Sequence, residues 1–215
     1  AHGSVTVRYG GTVVLVTAVG SDSPREGIDF FPLSVEYREQ AYAAGRIPGG
    51  FFKREGKPRD KEILSARLID RPLRPLFPDG FRNEVQVVCL ILSADQENDA
   101  DILGLTGASA ALSISQLPFE GPSAACRVAF VDGQYILNPT LSQLEYATME
   151  MVLAGHKDAI NMIEVGALEV PEAVVTEGIA FGQKAIIEIC GMIEELQKKA
   201  GKPKSWTPPP PKDKL

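Results

Sequence analysis

The sequence predicts an α+β domain with mixed or antiparallel sheets and packed helices. Three observations favour this fold class: apolar β-branched runs come in groups, a two-residue turn signal separates two of them, and few segments have helical periodicity. The sequence shows no regular alternation of strands and helices, which would indicate a parallel sheet.

The first half of the chain contains three clear candidate strands. Thr12–Val19 and Glu84–Ser93 are almost continuously apolar, which is typical of strands covered on both faces, and Leu33–Tyr37 is a shorter candidate. Residues Ala1–Thr6 are already strand-like. We therefore expect the chain to begin inside a domain whose N-terminal strand is truncated.

A helix is predicted over Asp99–Ser115, where regularly spaced small residues indicate close packing against a sheet. Asp99 or Asp101 could cap it, because a carboxylate accepts the free N–H groups of a first helical turn. Capping is a better interpretation of these two residues than a metal-binding D-x-D motif.

The second half of the chain favours two strand pairs and a long helix. Asp132-Gly133 is a hairpin signal that joins the runs Cys126–Val131 and Gln134–Asn138. Met149–Ala154 and Ala159–Val165 suggest a second strand pair. Pro171–Ala200 then has apolar residues at helical spacing, and the stop signals that follow are Lys198, Lys199, Gly201 and Pro203.

The domain organisation follows from a change in composition near the C-terminus. Residues 1–201 are expected to form one domain, and residues 202–215 a Pro-rich linker or tail that leaves it. No apolar run approaches the roughly 18–20 residues of a membrane span, so membrane insertion is not expected.

Charge is distributed unevenly along the chain. The formal net charge of -6 argues against a nucleic-acid binder. However, the stretch from Arg46 to Arg82 holds ten Lys or Arg against five Asp or Glu. The three cysteines, odd in number and widely separated, are expected to be reduced core thiols of a cytosolic protein; they are Cys89, Cys126 and Cys190.

Several familiar sites are excluded by the motifs. The two histidines, His2 and His156, lie at no metal-ligand spacing to a cysteine, so no metal site is predicted. Phosphate loops of the G-x-x-x-x-G-K-[ST] type, G-x-S-x-G elbows and G-x-G-x-x-G fingerprints do not occur.

The basic loop, Gly45–Arg59, carries the strongest functional signal. Phe51 and Phe52 follow two glycines and precede Lys53 and Arg54 in a stretch that cannot form a regular element. Aromatic rings can stack on the bases of single-stranded RNA while cations hold its phosphates. Composition alone favours equally the alternative that the rings tuck under the domain above a solvated charged rim.

A second group of arginines follows in the segment Lys61–Phe81. On a helical wheel, Arg67 and Arg71 fall inside the sector occupied by the apolar residues. Arginines on a core-facing stripe must be paired with carboxylates or must line a polar cavity. Two interpretations stay open: ion pairs, with Asp70 or Asp79 as partners, and a guanidinium array for phosphate groups.

Two further arginines are predicted to lie outside this helical sector. Pro72 disfavours helical geometry at the residue before it, so Arg74 is expected on an extended exit from the helix. Arg127 lies on a predicted strand among apolar residues and could face an RNA channel or reach an acidic residue at a sheet edge.

The segment FFKREGKPRDKEILSARLIDRPLRPLFPDGF, Phe51–Phe81, resembles the first RNase PH-like core domain of the polyribonucleotide nucleotidyltransferase (polynucleotide phosphorylase) family. The flanking stretches DFFPLSVEYREQAYAAGRIPGG, NEVQVV, DILGLTGASAALSIS and YILNPT agree, so the resemblance spans Gly3–Lys204. It implies an RNase PH-like fold, also described as ribosomal protein S5 domain 2-like.

The activity implied by the resemblance is that of a 3′-to-5′ phosphorolytic exoribonuclease. Such an enzyme uses orthophosphate as co-substrate to release nucleoside diphosphates, works reversibly, and takes part in RNA degradation. Phe51, Phe52, Lys53 and Arg54 are the RNA-binding residues that the resemblance implies. Arg127 is a further RNA-binding candidate, on its position in the predicted strand alone. The implied cleft-lining residues are Arg67, Arg71 and Arg74. Lys53 stands where the family commonly has arginine, so that contact loses the planar fork of donors.

The resemblance also implies partners that lie outside this sequence. The family has a second core domain in the same chain, which holds the phosphate-binding serines and the aspartates for Mg²⁺ or Mn²⁺; nothing here matches those residues. We therefore expect no catalytic or metal-binding residue in this segment, and we expect the isolated segment to be inactive. A homotrimer, an RNA-degradation complex and a cytoplasmic location are implied. The alternative is a non-catalytic RNA-binding or ring-scaffold subunit.

Overall fold

Within residues 1–207, which the computed structural model describes, the chain forms eight strands and four α-helices. The strands are β1 (Gly3–Tyr9), β2 (Thr12–Gly20), β3 (Leu33–Arg38), β4 (Val85–Ser93), β5 (Ala124–Val131), β6 (Gln134–Leu137), β7 (Met149–Gly155) and β8 (Ile160–Ala167). The helices are α1 (Asp60–Leu73), α2 (Ala100–Ile114), α3 (Leu141–Leu144) and α4 (Glu172–Ala200).

The strands form two four-stranded sheets. The first has the order β1-β2-β4-β3, in which β3 and β4 are parallel and the other neighbours are antiparallel. The second has the order β6-β5-β7-β8 and is antiparallel throughout. The predicted α+β class with mixed or antiparallel pairing is confirmed, and the strand-like start of the chain is β1.

The central strands of the first sheet are covered on one face, which corrects the expectation of two. Val14 and Val16 of β2 are fully buried, whereas Val19 is 42% exposed. In β4, buried residues such as Val87 also alternate with more exposed ones. The physical reason is that α1 and α2 pack on the same face of this sheet, so the β-branched residues of the opposite face are only half-buried.

Helix α2 lies between the two sheets. It contacts β1 and β2 on one side and β5 on the other. A Cβ added at Gly107 would come within 2.6 Å of the Val16 side chain, so the small residues of α2 permit close approach. The predicted tight packing of this helix is confirmed.

The predicted hairpin and the long C-terminal helix are both present. Asp132 and Gly133 have φ values of 48° and 79°, as a two-residue turn between β5 and β6 requires. Helix α4 covers the other face of the second sheet, where Ile186 and Cys190 pack against strand residues such as Met151.

The first residues of the predicted tail lie against the domain. The Nζ of Lys204 donates to carbonyl oxygens at the C-terminus of α2, among them that of Leu112 at 3.0 Å and that of Ser115 at 2.8 Å. The Trp206 ring stands edge-on to Phe81, with 5.7 Å between ring centroids. Residues 202–206 therefore do not leave the domain as we expected, because they satisfy free helix carbonyls. The rest of the predicted tail, 208–215, lies outside the described residues.

The three thiols are buried and free, as predicted. Burial raises the pKa of Cys89 and Cys126 to about 12 and that of Cys190 to about 11, so the thiols are neutral and weakly reactive. None of the helices within residues 1–207 has the length and apolar character to cross a membrane.

Candidate nucleic-acid interface

The tip of the basic loop presents two aromatic rings to solvent. The residue exposures of Phe51 and Phe52 are 93% and 81%, and their ring centroids are 5.5 Å apart in an edge-to-face arrangement. Gly50, with a φ of 76°, turns the backbone immediately before them. The rings therefore do not tuck under the domain, and their faces are open to a stacking partner.

The cations beside the rings have no partner in the part of the chain that the structure describes. Lys53 and Arg54 are exposed, and neither makes a side-chain hydrogen bond or an ion pair with residues 1–207. Unpaired cations next to exposed rings form the combination that single-stranded nucleic acids require. Their RNA-binding role stays a prediction.

The base of the loop is fixed by carboxylates. The backbone N–H of Ala41 donates to the Glu55 carboxylate at 2.8 Å. The buried carboxylate of Glu62 accepts from the backbone N–H groups of Arg59, at 2.7 Å, and Glu39, at 2.9 Å. These bonds join the segment before the loop to the last residues of the loop and the first turn of α1, and they leave the tip free.

Glu62 stays ionised in this position. Its burial raises the pKa, but the two backbone N–H donors and the nearby guanidinium groups of Arg38 and Arg59 outweigh that effect and hold the pKa below its ordinary value. The bond from the backbone N–H of Arg59, the N-cap of α1, to Glu62 is one half of a capping box. Arginine has no acceptor for the other half, so the sequence does not show the full signal.

Helix α1 presents to the core a face other than the expected one. Ile63 and Leu64 are 48% and 61% exposed, whereas Leu68, Ile69 and Leu73 are buried. The arginines that share the sector of Ile63 and Leu64 are consequently on the outer surface of the helix. Neither a buried ion pair nor a polar cavity is required to hold them.

The three arginines predicted to line the cleft have different environments. Arg67 is exposed and has no ion pair within residues 1–207. Arg71 forms an ion pair with Glu164 of β8, and both side chains are about half exposed. Arg74 donates to both oxygens of Asp70 at 2.9 Å. Of the two arginines for which ion pairs were considered, Arg71 is paired with Glu164 and not with Asp70 or Asp79, and Arg67 is left available. Asp70 pairs with Arg74 instead.

The exit from α1 also differs from the prediction. The helix continues through Pro72 to Leu73, and Arg74 begins a short 3-10 turn. Pro72 has no N–H to donate to the carbonyl of Leu68, four residues earlier, and the helix ends one residue after it. The guanidinium of Arg74 also donates to the carbonyl oxygens of Phe31 and Leu33, which holds this turn against the loop before β3.

Arg127 is enclosed by carboxylates. Its side chain is 12% exposed, with Asp101 at 2.6 Å, Asp99 at 3.7 Å and Glu150 also in contact. Of the two interpretations left open by the sequence, the geometry favours an acidic partner over contact with an RNA channel. The predicted RNA-binding role of Arg127 is not tested by this arrangement, but its donors are already engaged.

The carboxylates around Arg127 do not fit a divalent-cation site. Asp99 contacts Lys61 at 3.2 Å as well as Arg127, so the carboxylates of this cluster are already paired with cations of the chain. Burial raises the pKa of Asp101, with a further contribution from Asp99, although Arg127 opposes both. Across residues 1–207, no group of three or more acidic, His or Cys side chains could hold a metal ion.

The same carboxylates occupy the N-terminus of α2. Asp99 is the N-cap residue without a side-chain capping bond, and Asp101 accepts from the backbone N–H of Ile102 at 2.6 Å. Of the two predicted cap residues, Asp101 thus accepts a free first-turn N–H, whereas Asp99 makes no capping bond because its carboxylate is directed to Lys61. A helix N-terminus attracts anions, but here the protein's own acids already fill that position.

Comparison with known proteins identifies the family. Residues 1–118 match the 3′ exoribonuclease family, domain 1. Residues 121–185 match the 3′ exoribonuclease family, domain 2. The chain belongs to the 3′ exoribonuclease family. The domain 1 match contains the first sheet, the basic loop, α1 and α2, and the domain 2 match contains the second sheet and half of α4.

Curated relatives in this family have high sequence identity to the chain. It is 58% identical over 208 residues to the polyribonucleotide nucleotidyltransferase of Heliobacterium modesticaldum, which covers 97% of this chain and 29% of that protein. The same-named proteins of Aquifex aeolicus and Desulfitobacterium hafniense are 57% and 55% identical, covering 94% and 95% of this chain and 26% and 29% of theirs. The chain thus spans only about a quarter of the length of these relatives.

A solved structure from the same fold family confirms the architecture. The crystal structure of rice (Oryza sativa) Rrp46 superimposes with a TM-score of 0.74, over 92% of this chain and 89% of that one. The sequence identity is 16%, so this likeness concerns the fold alone. The RNase PH-like fold expected from the sequence is confirmed.

Proposed function

We propose that this chain is the first-core segment of a 3′-to-5′ phosphorolytic exoribonuclease of the polyribonucleotide nucleotidyltransferase type. The enzyme would use orthophosphate to release nucleoside diphosphates from the 3′ end of RNA, and would run in reverse to extend RNA. Family membership and the names of relatives with 53–58% identity support this activity.

One observation carries the role of this segment within the enzyme: two neighbouring aromatic rings are almost fully exposed beside unpaired cations. Phe51 and Phe52 would stack on successive bases of single-stranded RNA, while Lys53 and Arg54 contact the phosphates. Stacking tolerates any base, which suits an enzyme that must move along RNA of any sequence.

The remaining parts of the reaction are proposed to lie outside this segment. The carboxylates of Asp99 and Asp101 occupy the N-terminus of α2 and engage Lys61 and Arg127, so this position would not bind orthophosphate. We propose that a second core domain of the same chain binds orthophosphate and Mg²⁺ or Mn²⁺. When bound, the metal would stabilise negative charge on the reacting phosphate.

The proposed setting follows from the same family membership. The complete protein would be a cytoplasmic homotrimer that takes part in messenger RNA degradation, alone or within an RNA-degradation complex. In this assembly the exposed Arg67 would form part of the cleft wall facing the second core domain. The segment would contribute RNA grip and cleft wall, with no catalytic residue of its own.

A chimera tests the proposal directly. The corresponding segment of the Heliobacterium protein is replaced by this chain, and phosphate-dependent release of nucleoside diphosphates from oligoadenylate is measured. We expect the chimera to retain phosphorolysis, because an equivalent segment supplies the same fold and loop. The isolated 215-residue chain, assayed in parallel, should bind oligoadenylate without releasing nucleoside diphosphates.

Two outcomes would contradict this assignment. Phosphorolysis by the isolated chain would place the catalytic centre inside it. A folded chimera that binds RNA but does not turn over would favour the second candidate, a non-catalytic RNA-binding or ring-scaffold subunit. The internally paired cluster around Arg127 is the observation that favours that candidate.

A further inference from the structure

A groove of 760 Å³ lies beneath the basic loop. Its volume falls within the range of about 300–1,000 Å³ that is typical of ligand sites, so it can admit a nucleotide unit as well as a bare ion. One wall is formed by the loop from Arg46 to Arg59, and the opposite wall by residues that precede or begin α2, including Ala94, Gln96 and Asn98.

The carboxylates of the groove already have partners. Glu39 contacts Arg59 at 3.0 Å and Lys61 at 3.1 Å, and Asp99 contacts Lys61 at 3.2 Å. Glu55 and Glu62 accept the backbone N–H groups that close the base of the loop. The acidic residues of the groove therefore serve the internal structure and are not available to bind a cation.

Three cations of the groove are in the opposite situation. Arg46, Arg54 and Lys57 line it, are exposed, and form no side-chain hydrogen bond or ion pair with any residue of the described range 1–207. The other groove-lining cations have protein acceptors; Arg38, for example, lies 3.9 Å from Glu62. The unpaired charge in the groove is consequently positive, which favours an anionic occupant.

We propose that this groove holds the phosphate backbone of the RNA strand whose bases stack on the loop tip. This inference rests on the proposed function and adds Arg46 and Lys57 as phosphate-binding residues. In the sequence the two rings lie between Arg46 on one side and Arg54 and Lys57 on the other. Because all three cations line one groove, the phosphates next to the stacked bases would meet them there.

Salt dependence of RNA binding measures these contacts. Fluorescence anisotropy of a labelled oligoadenylate is recorded with the 215-residue chain at a series of KCl concentrations. Each phosphate contact contributes about 0.7 to the slope of log K against log salt for a single strand. Arg46→Ala and Lys57→Ala should each weaken binding at low salt and reduce the magnitude of that slope by about 0.7.

Two matched variants distinguish a specific contact from a loss of net charge. Arg46→Lys keeps the charge and should keep the slope. Lys184→Ala removes an exposed cation of α4 that does not line the groove, and it should leave both affinity and slope unchanged. Melting temperatures of all variants should equal that of the parent chain, because these side chains have no internal partners.

Failure of this inference is separable from failure of the proposed function. If the parent chain binds oligoadenylate and loses affinity in Phe51→Ala, but Arg46→Ala and Lys57→Ala retain the full slope, the groove is not the path of the backbone. An equal reduction of the slope in Lys184→Ala would also overturn the inference. Absence of any RNA binding by the parent chain would instead contradict the proposed function.

Discussion

At the scale of single residues, the presence or absence of an internal partner separates functional from structural charges. Arg74 and Arg127 have carboxylate partners within hydrogen-bond distance, whereas Arg46 and Arg67 have none in the part of the chain that is described. An arginine with a free fork of donors can bind phosphate without first breaking an ion pair. The free arginines are therefore the better candidates for RNA contact.

The aromatic pair gives the first prediction at this scale. Replacing Phe51 and Phe52 by Ala should lower the affinity for oligoadenylate by about 1–3 kcal/mol for each stacked base. The melting temperature should stay the same, since exposed rings contribute little packing. Affinity is measured by fluorescence anisotropy and stability by thermal unfolding.

Phe77→Ala is the matched control for this prediction. Phe77 is 7% exposed and packs against Phe31 and Phe119. Its loss should destabilise the chain by about 3–5 kcal/mol. If replacing Phe51 and Phe52 instead reduced stability and left RNA affinity intact, the role of the rings would be structural.

At the scale of elements, the basic loop combines an exposed tip with a base that carboxylates hold in place. Glu55 in the loop and Glu62 in the first turn of α1 place negative charge beside a proposed polyanion site, so we expect both to have a structural role. Each accepts a backbone N–H from the other side of the loop. We infer that these bonds restrict the positions that the tip can adopt before RNA binds, and so reduce the entropy lost on binding.

Substitutions of Glu55 separate the effect of its charge on RNA affinity from the effect of its hydrogen bond to Ala41. Glu55→Gln keeps an acceptor for the Ala41 N–H and removes one negative charge, so RNA affinity should rise slightly or stay constant. Glu55→Ala removes the same charge together with the hydrogen bond, and affinity should fall, by about 0.5–1.5 kcal/mol. Fluorescence anisotropy at a single salt concentration compares both variants with the parent chain.

A purely electrostatic role for Glu55 would give another result. Both substitutions would then tighten RNA binding to the same extent. Hydrogen exchange of the Ala41 amide provides an independent readout, and it should be faster in the Ala variant than in the Gln variant.

At the scale of the whole molecule, one aspartate connects the β1–β2 turn of the first sheet to the segment before α2. The Asp95 carboxylate accepts from the backbone N–H of Gly11 at 2.9 Å, between β1 and β2, and from that of Asn98 at 2.8 Å, just before α2. It also accepts from the Thr12 hydroxyl at 3.0 Å. Burial raises its pKa, but these hydrogen bonds outweigh burial and hold the pKa well below the ordinary value.

This network predicts the acid dependence of stability. A carboxyl group whose pKa is lower in the folded than in the unfolded state stabilises the fold above the unfolded pKa, about 3.9 for Asp. That contribution is lost as pH falls through the folded pKa. Asp95→Asn should therefore be less stable than the parent at neutral pH, and the difference should shrink below about pH 4. Urea unfolding at several pH values measures it.

Asp158→Asn is the control for the acid prediction. Asp158 is exposed and accepts no hydrogen bond from the residues that the structure describes. Its replacement should leave the unfolding midpoint unchanged at every pH. A stability difference for Asp95→Asn that persisted undiminished in acid would show that shape, not charge, is what Asp95 contributes.

The sequence by itself determined the elements that depend on local chemistry. Turn preference predicts the Asp132-Gly133 hairpin, and periodicity predicts the long helix α4. The small residues of α2 predict its close packing. The RNase PH-like resemblance follows from the segment Phe51–Phe81. These features needed no knowledge of which distant residues meet, because neighbours in the chain carry the signal.

Only the tertiary structure decided which residues face the core and which charges have partners. The outward placement of Ile63 and Leu64 depends on where α1 meets the first sheet. Arg71 and Glu164 are 93 positions apart, and Arg127 and Asp101 are 26 apart. Such pairs form when folding brings separate elements together, and no local pattern encodes them. The same long-range packing leaves Arg46 and Lys57 without partners beneath the loop.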